Sequence, residues 1–211
     1  MKLLSIIILS LTTSLCFATQ QTPDNIVYKG ETYCLEPFIF EQYFENHPEH
    51  APEKSINSGL WRGFTTSFII TNNILVLDDI EGRSRDDEND QWKSLKNDIY
   101  PNQEFPPMEW FTGILILGRG EEVPRTELGG FRILFANYIL LEVNQGKITR
   151  EKRLSEKQVK PFIDKQWDAY KKTDEYKNLL SKLKSRGYGD PEGDLRTYII
   201  LRDRIPRFYE E

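Results

Sequence analysis

The sequence predicts an α+β fold: a mostly antiparallel sheet built from hairpins, with two helices near the C-terminus. Three observations carry this. Short apolar runs separated by tight-turn residues fill the chain up to Arg153. Around Ser155 the apolar period changes from that of a strand to that of a helix. Strands first and helices last is the order of a segregated α+β domain rather than of alternating βαβ units. No internal repeat, low-complexity tract or long linker divides the chain, so residues 19–211 read as a single domain.

Residues 26–35 alternate around Lys29-Gly30, the pattern of a first hairpin. Pro37 opens a short helix whose Phe40, Tyr43 and Phe44 share a face. His47 to Ser58 contains two prolines and reads as loop. A second hairpin follows. Leu60, Phe64, Phe68 and Ile70 share one strand face with Arg62 and Thr66, Asn72-Asn73 supplies the turn, and Ile74 to Ile80 returns. Glu81 to Gln91 is an acidic loop, and Trp92, Leu95 and Ile99 mark a short helical patch. Trp110 to Leu117 is an apolar strand ended by Gly118-Arg119-Gly120. Residues 131–135 and 138–143 are further strands, and Asn144-Gln145-Gly146 turns the chain into Lys147 to Arg153. Ser155 and Gln158 form a capping box for a helix with Val159, Phe162, Ile163, Trp167 and Tyr170 on one stripe, where Pro161 predicts a kink or a delayed start. Thr173 caps a second helix with Tyr176, Leu179, Leu180 and Leu183, stopped by Gly187. Leu195 to Leu201 fits a strand or a short helix, and periodicity does not choose between them.

The first eighteen residues read as a secretory signal peptide. Lys2 supplies the positive start, Leu3 to Leu11 is apolar apart from Ser5 and Ser10, and Cys16-Phe17-Ala18 offers small residues at the two positions a signal peptidase reads. The run is too short for a permanent membrane helix, so no transmembrane segment is expected after cleavage. Lipoprotein processing at Cys16 is disfavoured by Leu15, which sits where that peptidase takes a small residue; cleavage after Ala18 is expected. The expected location is periplasmic or secreted. Cleavage leaves Cys34 as the single thiol, hence no internal disulfide, and Cys34 reads as a small core residue. The absence of any Asn-x-Ser/Thr sequon agrees with a bacterial envelope.

A composition of 38% hydrophobic and 29% charged residues excludes wholesale disorder. Charge is uneven: residues 19–100 hold 15 acids and 7 bases, whereas 147–186 hold 13 bases and 6 acids. The bases are interleaved with acids rather than massed, which is the pattern of wet helix faces and argues against a nucleic-acid partner.

Few motifs carry chemistry. His47-Pro-Glu-His50 resembles a metal pair, but Pro48 disfavours the helix that would bring both rings to one side, so a solvated loop is expected. Asp86 to Asp90 lacks the glycine and distal glutamate of a calcium loop. No phosphate loop, nucleophile elbow or zinc-protease helix occurs, and Asp78 and Asp79, adjacent on one strand, point to opposite faces. No catalytic set, metal or cofactor is therefore expected.

Gly59-Leu60-Trp61-Arg62-Gly63-Phe64, continuing to Leu75-Val76-Leu77-Asp78-Asp79-Ile80, with Asn137-Tyr138-Ile139-Leu140-Leu141-Glu142-Val143 and Gly146, resembles a family of uncharacterised bacterial exported proteins. These segments cover about a quarter of the chain. The resemblance implies no activity. Read as a strand, the segment puts Trp61 and Arg62 on opposite faces, and this, rather than the resemblance, singles out Trp61, Arg62, Asp79 and Glu142 as candidate binding residues. Arg62, sharing the apolar face, needs a carboxylate, which Asp79 or Glu142 would supply; the pair is either a buried structural ion pair or a ligand anchor. The expected function is a non-catalytic binding protein with a protein partner, such as a toxin-neutralising immunity protein. The alternative is a cell-envelope hydrolase using carboxylates such as Asp79 and Glu142.

Overall fold

The computed structural model describes residues 22–36, 38–52, 58–83, 92–123, 134–185 and 207–209. The leader at 1–18, the Asp86–Asp90 turn, the Gly187 stop and the 195–201 segment lie outside the described residues.

The strands are β1 (Asp24–Tyr28), β2 (Glu31–Glu36), β3 (Phe64–Thr71), β4 (Ile74–Arg83), β5 (Trp92–Ser94), β6 (Gly113–Val123), β7 (Leu134–Asn144) and β8 (Lys147–Ser155). The helices are α1 (Ile39–Asn46), α2 (Lys96–Ile99), α3 (Glu156–Tyr170) and α4 (Asp174–Ser185). All strands join one sheet in the order β3-β1-β2-β6-β7-β8-β4-β5, antiparallel except for the parallel pair β1–β3. Because β3 also pairs with β4, the sheet curls round on itself into a barrel, with β5 appended at the end of β4. The expected α+β class, mostly antiparallel sheet and two C-terminal helices are all present.

Three hairpin turns share one backbone solution. Lys29-Gly30, Asn72-Asn73 and Gln145-Gly146 all have positive φ at both central residues, the geometry whose twist matches the flanking strands. The third turn also makes the barrel's seam. There β8 and β4 meet through the pair Ile74–Lys147, with Leu75 N–H donating to Gly146 C=O and Ile148 N–H to Asn73 C=O, both at 2.8 Å. Beyond it the chain at 106–111 wedges in: Leu77 N–H donates to Pro106 C=O, Met108 N–H to Leu75 C=O and Gly146 N–H to Phe111 C=O.

Two apolar clusters use the two faces of β6 and β7. Leu115, Leu117, Ile139 and Leu141 point into the barrel, where Ile26, Leu35, Phe68, Leu75, Leu77 and α1's Ile39 and Phe40 are fully or almost fully buried. Ile114, Ile116, Tyr138 and Leu140 point outward beneath Phe162, Trp167 and Tyr170 of α3, Tyr176 of α4, and Phe208. Burial on both faces explains why these strands read as continuous apolar runs.

Several local expectations are corrected. Leu60 lies in a 3-10 turn (Ser58–Leu60), and Gly63 has φ +79°, so β3 begins only at Phe64; Trp61 and Arg62 are in a turn rather than on opposite faces of a strand. Trp92 belongs to β5, not to a helix. Gly118-Arg119-Gly120 does not end β6: Gly120 adopts φ +103° within a register shift, a bulge that lets the strand continue to Val123. Of the two strands expected at 131–135 and 138–143, the described residues form a single strand, β7, from Leu134 onward. Pro161 does not delay α3, which starts at Glu156 with Gln158 Oε1 accepting the Ser155 N–H at 2.9 Å. Thr173 Oγ1 accepts the Tyr176 N–H, as expected of a cap. Cys34 is half-buried against the outer cluster. Among the described residues no helix is long and apolar enough to cross a membrane.

Candidate functional site

Arg62 is inward and paired, but with neither expected partner. Its guanidinium grips Asp24 of β1 with two bonds, Nη1 to Oδ2 at 2.9 Å and Nη2 to Oδ1 at 2.8 Å, and Nη2 also donates to Thr22 C=O at 2.9 Å. The side chains are 1% and 0% exposed. Asp24 Oδ1 also accepts the Thr66 N–H at 2.7 Å. The ring of Phe38 lies 3.9 Å over the guanidinium, a favourable neighbour for a cation whose Nε has no acceptor among the described residues. This arrangement is an internal clamp between β1 and the start of β3. Reasoning from sequence missed Asp24, although its place on one strand face with Ile26 and Tyr28 was a legible signal.

Asp79 and Glu142 are held apart. Asp79 Oδ1 accepts Ser94 Oγ–H at 2.6 Å and the Ile80 N–H, tying β4 to β5. Glu142 faces outward on β7 and accepts Arg150 Nη2 at 2.7 Å, Thr149 Oγ1 at 2.6 Å and the Phe208 N–H at 2.6 Å. Burial pushes the Glu142 carboxyl up, but these donors outweigh it and leave the group below its ordinary range. Arg150 in turn donates to Phe208 C=O, so the Glu142–Arg150 pair grips both backbone groups of Phe208. Both carboxylates thus serve local structure, on strands separated by β8. Trp61 is 42% exposed beside the Arg62 clamp.

A different set of residues converges at the end of α1. Tyr43 and His47 are one helical turn apart and stack at 4.5 Å. Pro48 then occupies the first position of a 3-10 turn (Pro48–His50), where its missing N–H is no loss, and His50 N–H donates to His47 C=O at 3.1 Å. The expectation that Pro48 keeps the two rings apart is therefore wrong. Both imidazoles stack on the Tyr43 side, 5.9 Å from each other, and His50 Nδ1 lies 2.9 Å from the Tyr43 hydroxyl. His47 Nδ1 lies 3.3 Å from Glu49 Oε1.

Trp110 extends this face. Its ring contacts Tyr43 at 5.5 Å and meets Phe40 and Phe111 edge-on, while its Nε1–H donates to Tyr100 Oη at 3.0 Å. It remains 37% exposed. Burial pushes the Tyr43 phenol up to about 12, aided by Tyr100 and Glu49, and burial also raises Tyr100, so both phenols stay neutral hydrogen-bonding groups. The face offers rigid aromatic surface with imidazole and carboxylate groups at its rim, a combination suited to binding. Of this face, the helical spacing of Phe40, Tyr43 and Phe44 was readable in advance; His47, expected in a loop, and the recruitment of Trp110 from a distant segment were not.

No family model matches the chain, and neither a curated protein nor a solved structure matches it. The fold and the face at the end of α1 therefore stand on their own geometry: a closed, mostly antiparallel barrel with a two-helix outer layer.

Proposed function

We propose that this chain is an exported, non-catalytic binding protein whose recognition face is centred on Trp110, backed by the buried Tyr43, with a toxin-neutralising immunity protein as its form. The observation that carries the reading is Trp110: packed from behind by Phe40 and Phe111, fixed by Tyr100, and still 37% exposed. A preorganised aromatic ring loses little entropy on association and supplies the large contact area typical of interface hot spots. Glu49 lies at the edge of this face, 3.3 Å from His47 Nδ1, and favours a partner with a basic surface, whose approach weakens as salt rises. The structural bonding of Asp79 and Glu142 weighs against the hydrolase alternative.

The test is capture from envelope extract by the immobilised protein at low and high salt, beside Trp110→Ala. A saturable protein partner retained by the wild type and lost by the variant is the expected result. Recovery of no partner, together with turnover of peptidoglycan or polysaccharide by the purified protein, would overturn the proposal in favour of a hydrolase.

A further inference from the structure

We propose that His47, Glu49 and His50 form a binding site for a first-row divalent metal ion, with Tyr43 positioning the His50 ring. This goes beyond the binding-protein reading and does not depend on it. One donor atom from each of the three side chains lies within 4.8 Å of the others, the group among the described residues that brings His, Cys, Asp or Glu donors this close. Two imidazoles and one carboxylate match the donor chemistry of zinc and its neighbours, and the three-ligand set leaves a coordination position for water.

The details fit a ligand set better than a solvated cluster. Ligands bonded at about 2.0–2.1 Å in tetrahedral geometry are separated by roughly 3.3 Å. That is the distance between His47 Nδ1 and Glu49 Oε1, which is long for a charge-assisted hydrogen bond. The Tyr43 hydroxyl at 2.9 Å from His50 Nδ1 is the outer partner that ligating histidines commonly have, fixing the ring's tautomer and orientation. The backbone is also prepared: α1 delivers His47, and the proline-started 3-10 turn returns His50 to the same side with its N–H bonded to His47 C=O. His47 and Glu49 are exposed, so an ion reaches the site without any rearrangement of the barrel.

The chain contains only these two histidines, which makes the test clean. The full protein, stripped with a chelator, is titrated with Zn2+ alone by calorimetry and by competition against a chromophoric chelator. One ion per chain is expected, with binding weakened at least tenfold in His47→Gln and in His50→Gln. Glu49→Gln is expected to weaken it as well. Co2+ loaded at the same site should show the visible absorption of a low-coordinate ion, absent from the His47→Gln/His50→Gln variant. Tyr43→Phe, which keeps the ring and removes the hydroxyl, should lower affinity by about tenfold while the metal-free protein stays folded, with only the small midpoint shift expected of one lost hydrogen bond. An unchanged affinity in Tyr43→Phe would overturn its positioning role. Zn2+ binding equal in wild type and the double histidine variant, or no binding by wild type, would overturn the site.

Discussion

Replacing Arg62 by Met tests the buried clamp directly. The substitution keeps most of the aliphatic volume and removes a guanidinium that makes two bonds to Asp24 and one to Thr22 C=O. Asp24 is then left as a fully buried carboxylate with, among the described residues, only the Thr66 N–H as a donor. Breaking a buried pair in this way costs about 3–5 kcal/mol, a large share of the roughly 5–15 kcal/mol that stabilises a domain. With a urea m-value of about 2 kcal/mol/M, the unfolding midpoint should fall by about 1.5–2.5 M. A second variant separates lost packing from the stranded charge. Asp24→Asn retains an oxygen for the Thr66 N–H but carries no charge, so combining it with Arg62→Met should recover part of the loss, with a coupling of about 1–3 kcal/mol. Urea unfolding of wild type, both single variants and the double variant measures all four corners. A midpoint for Arg62→Met within about 0.5 M of wild type, or strictly additive losses, would refute the reasoning, because either means that Asp24 is not left uncompensated.

Three further outcomes follow from contacts elsewhere. At the far end of the barrel Glu151 accepts Tyr28 Oη–H at 2.8 Å and pairs with Lys29 and Arg153; burial raises its carboxyl, but these partners outweigh it and hold it at about 2, against an ordinary 4.5. A depressed folded-state pKa contributes stability above pH 4.5 that is lost as pH falls toward 2, so wild type should lose more stability across that window than Glu151→Gln in a thermal melt series. Gly146→Ala should cost about 1–3 kcal/mol in urea unfolding, since φ is +75° and the added Cβ would sit 2.9 Å from Met108 C=O. Trp61→Ala should shift the urea midpoint little, because the ring is 42% exposed; a loss as large as that of Arg62→Met would show that it packs over the clamp.

The hairpins were readable because their signals are local: alternation fixes the face of each residue, and Lys29-Gly30, Asn72-Asn73 and Gln145-Gly146 fix the turns. The same locality explains the errors. Alternation extended the Phe64 strand back to Leu60, because a turn that happens to bury Arg62 mimics the strand pattern. Nothing in the β4 or β7 segments announces that the carboxylate meeting Arg62 comes from β1, since that contact depends on the parallel β1–β3 pairing. Gly118 and Gly120 looked like a terminator, yet a glycine in a strand equally marks a bulge, and only the partner strand decides. The face at the end of α1 was half visible. Phe40, Tyr43 and Phe44 share a helical face by spacing alone, whereas His47 opens the stretch expected as loop and the return of His50 rests on reading Pro48 as the start of a turn rather than the end of a helix.

The narrow seam between β4 and β8 bears on how the molecule assembles. The β3–β4 hairpin and the β6-β7-β8 meander each join neighbours in sequence, so their closure entropy is small and they form early. The Ile74–Lys147 contact joins residues far apart along the chain and offers little reward until both units exist, which makes ring closure a late event. Interactions formed after the folding barrier act on the unfolding rate. Gly146 belongs to both events, as the β7–β8 turn and as a hydrogen-bonding partner across the seam, so Gly146→Ala should slow refolding as well as speed unfolding in stopped-flow measurements, and this one turn sets both how quickly the native barrel is reached and how long it persists.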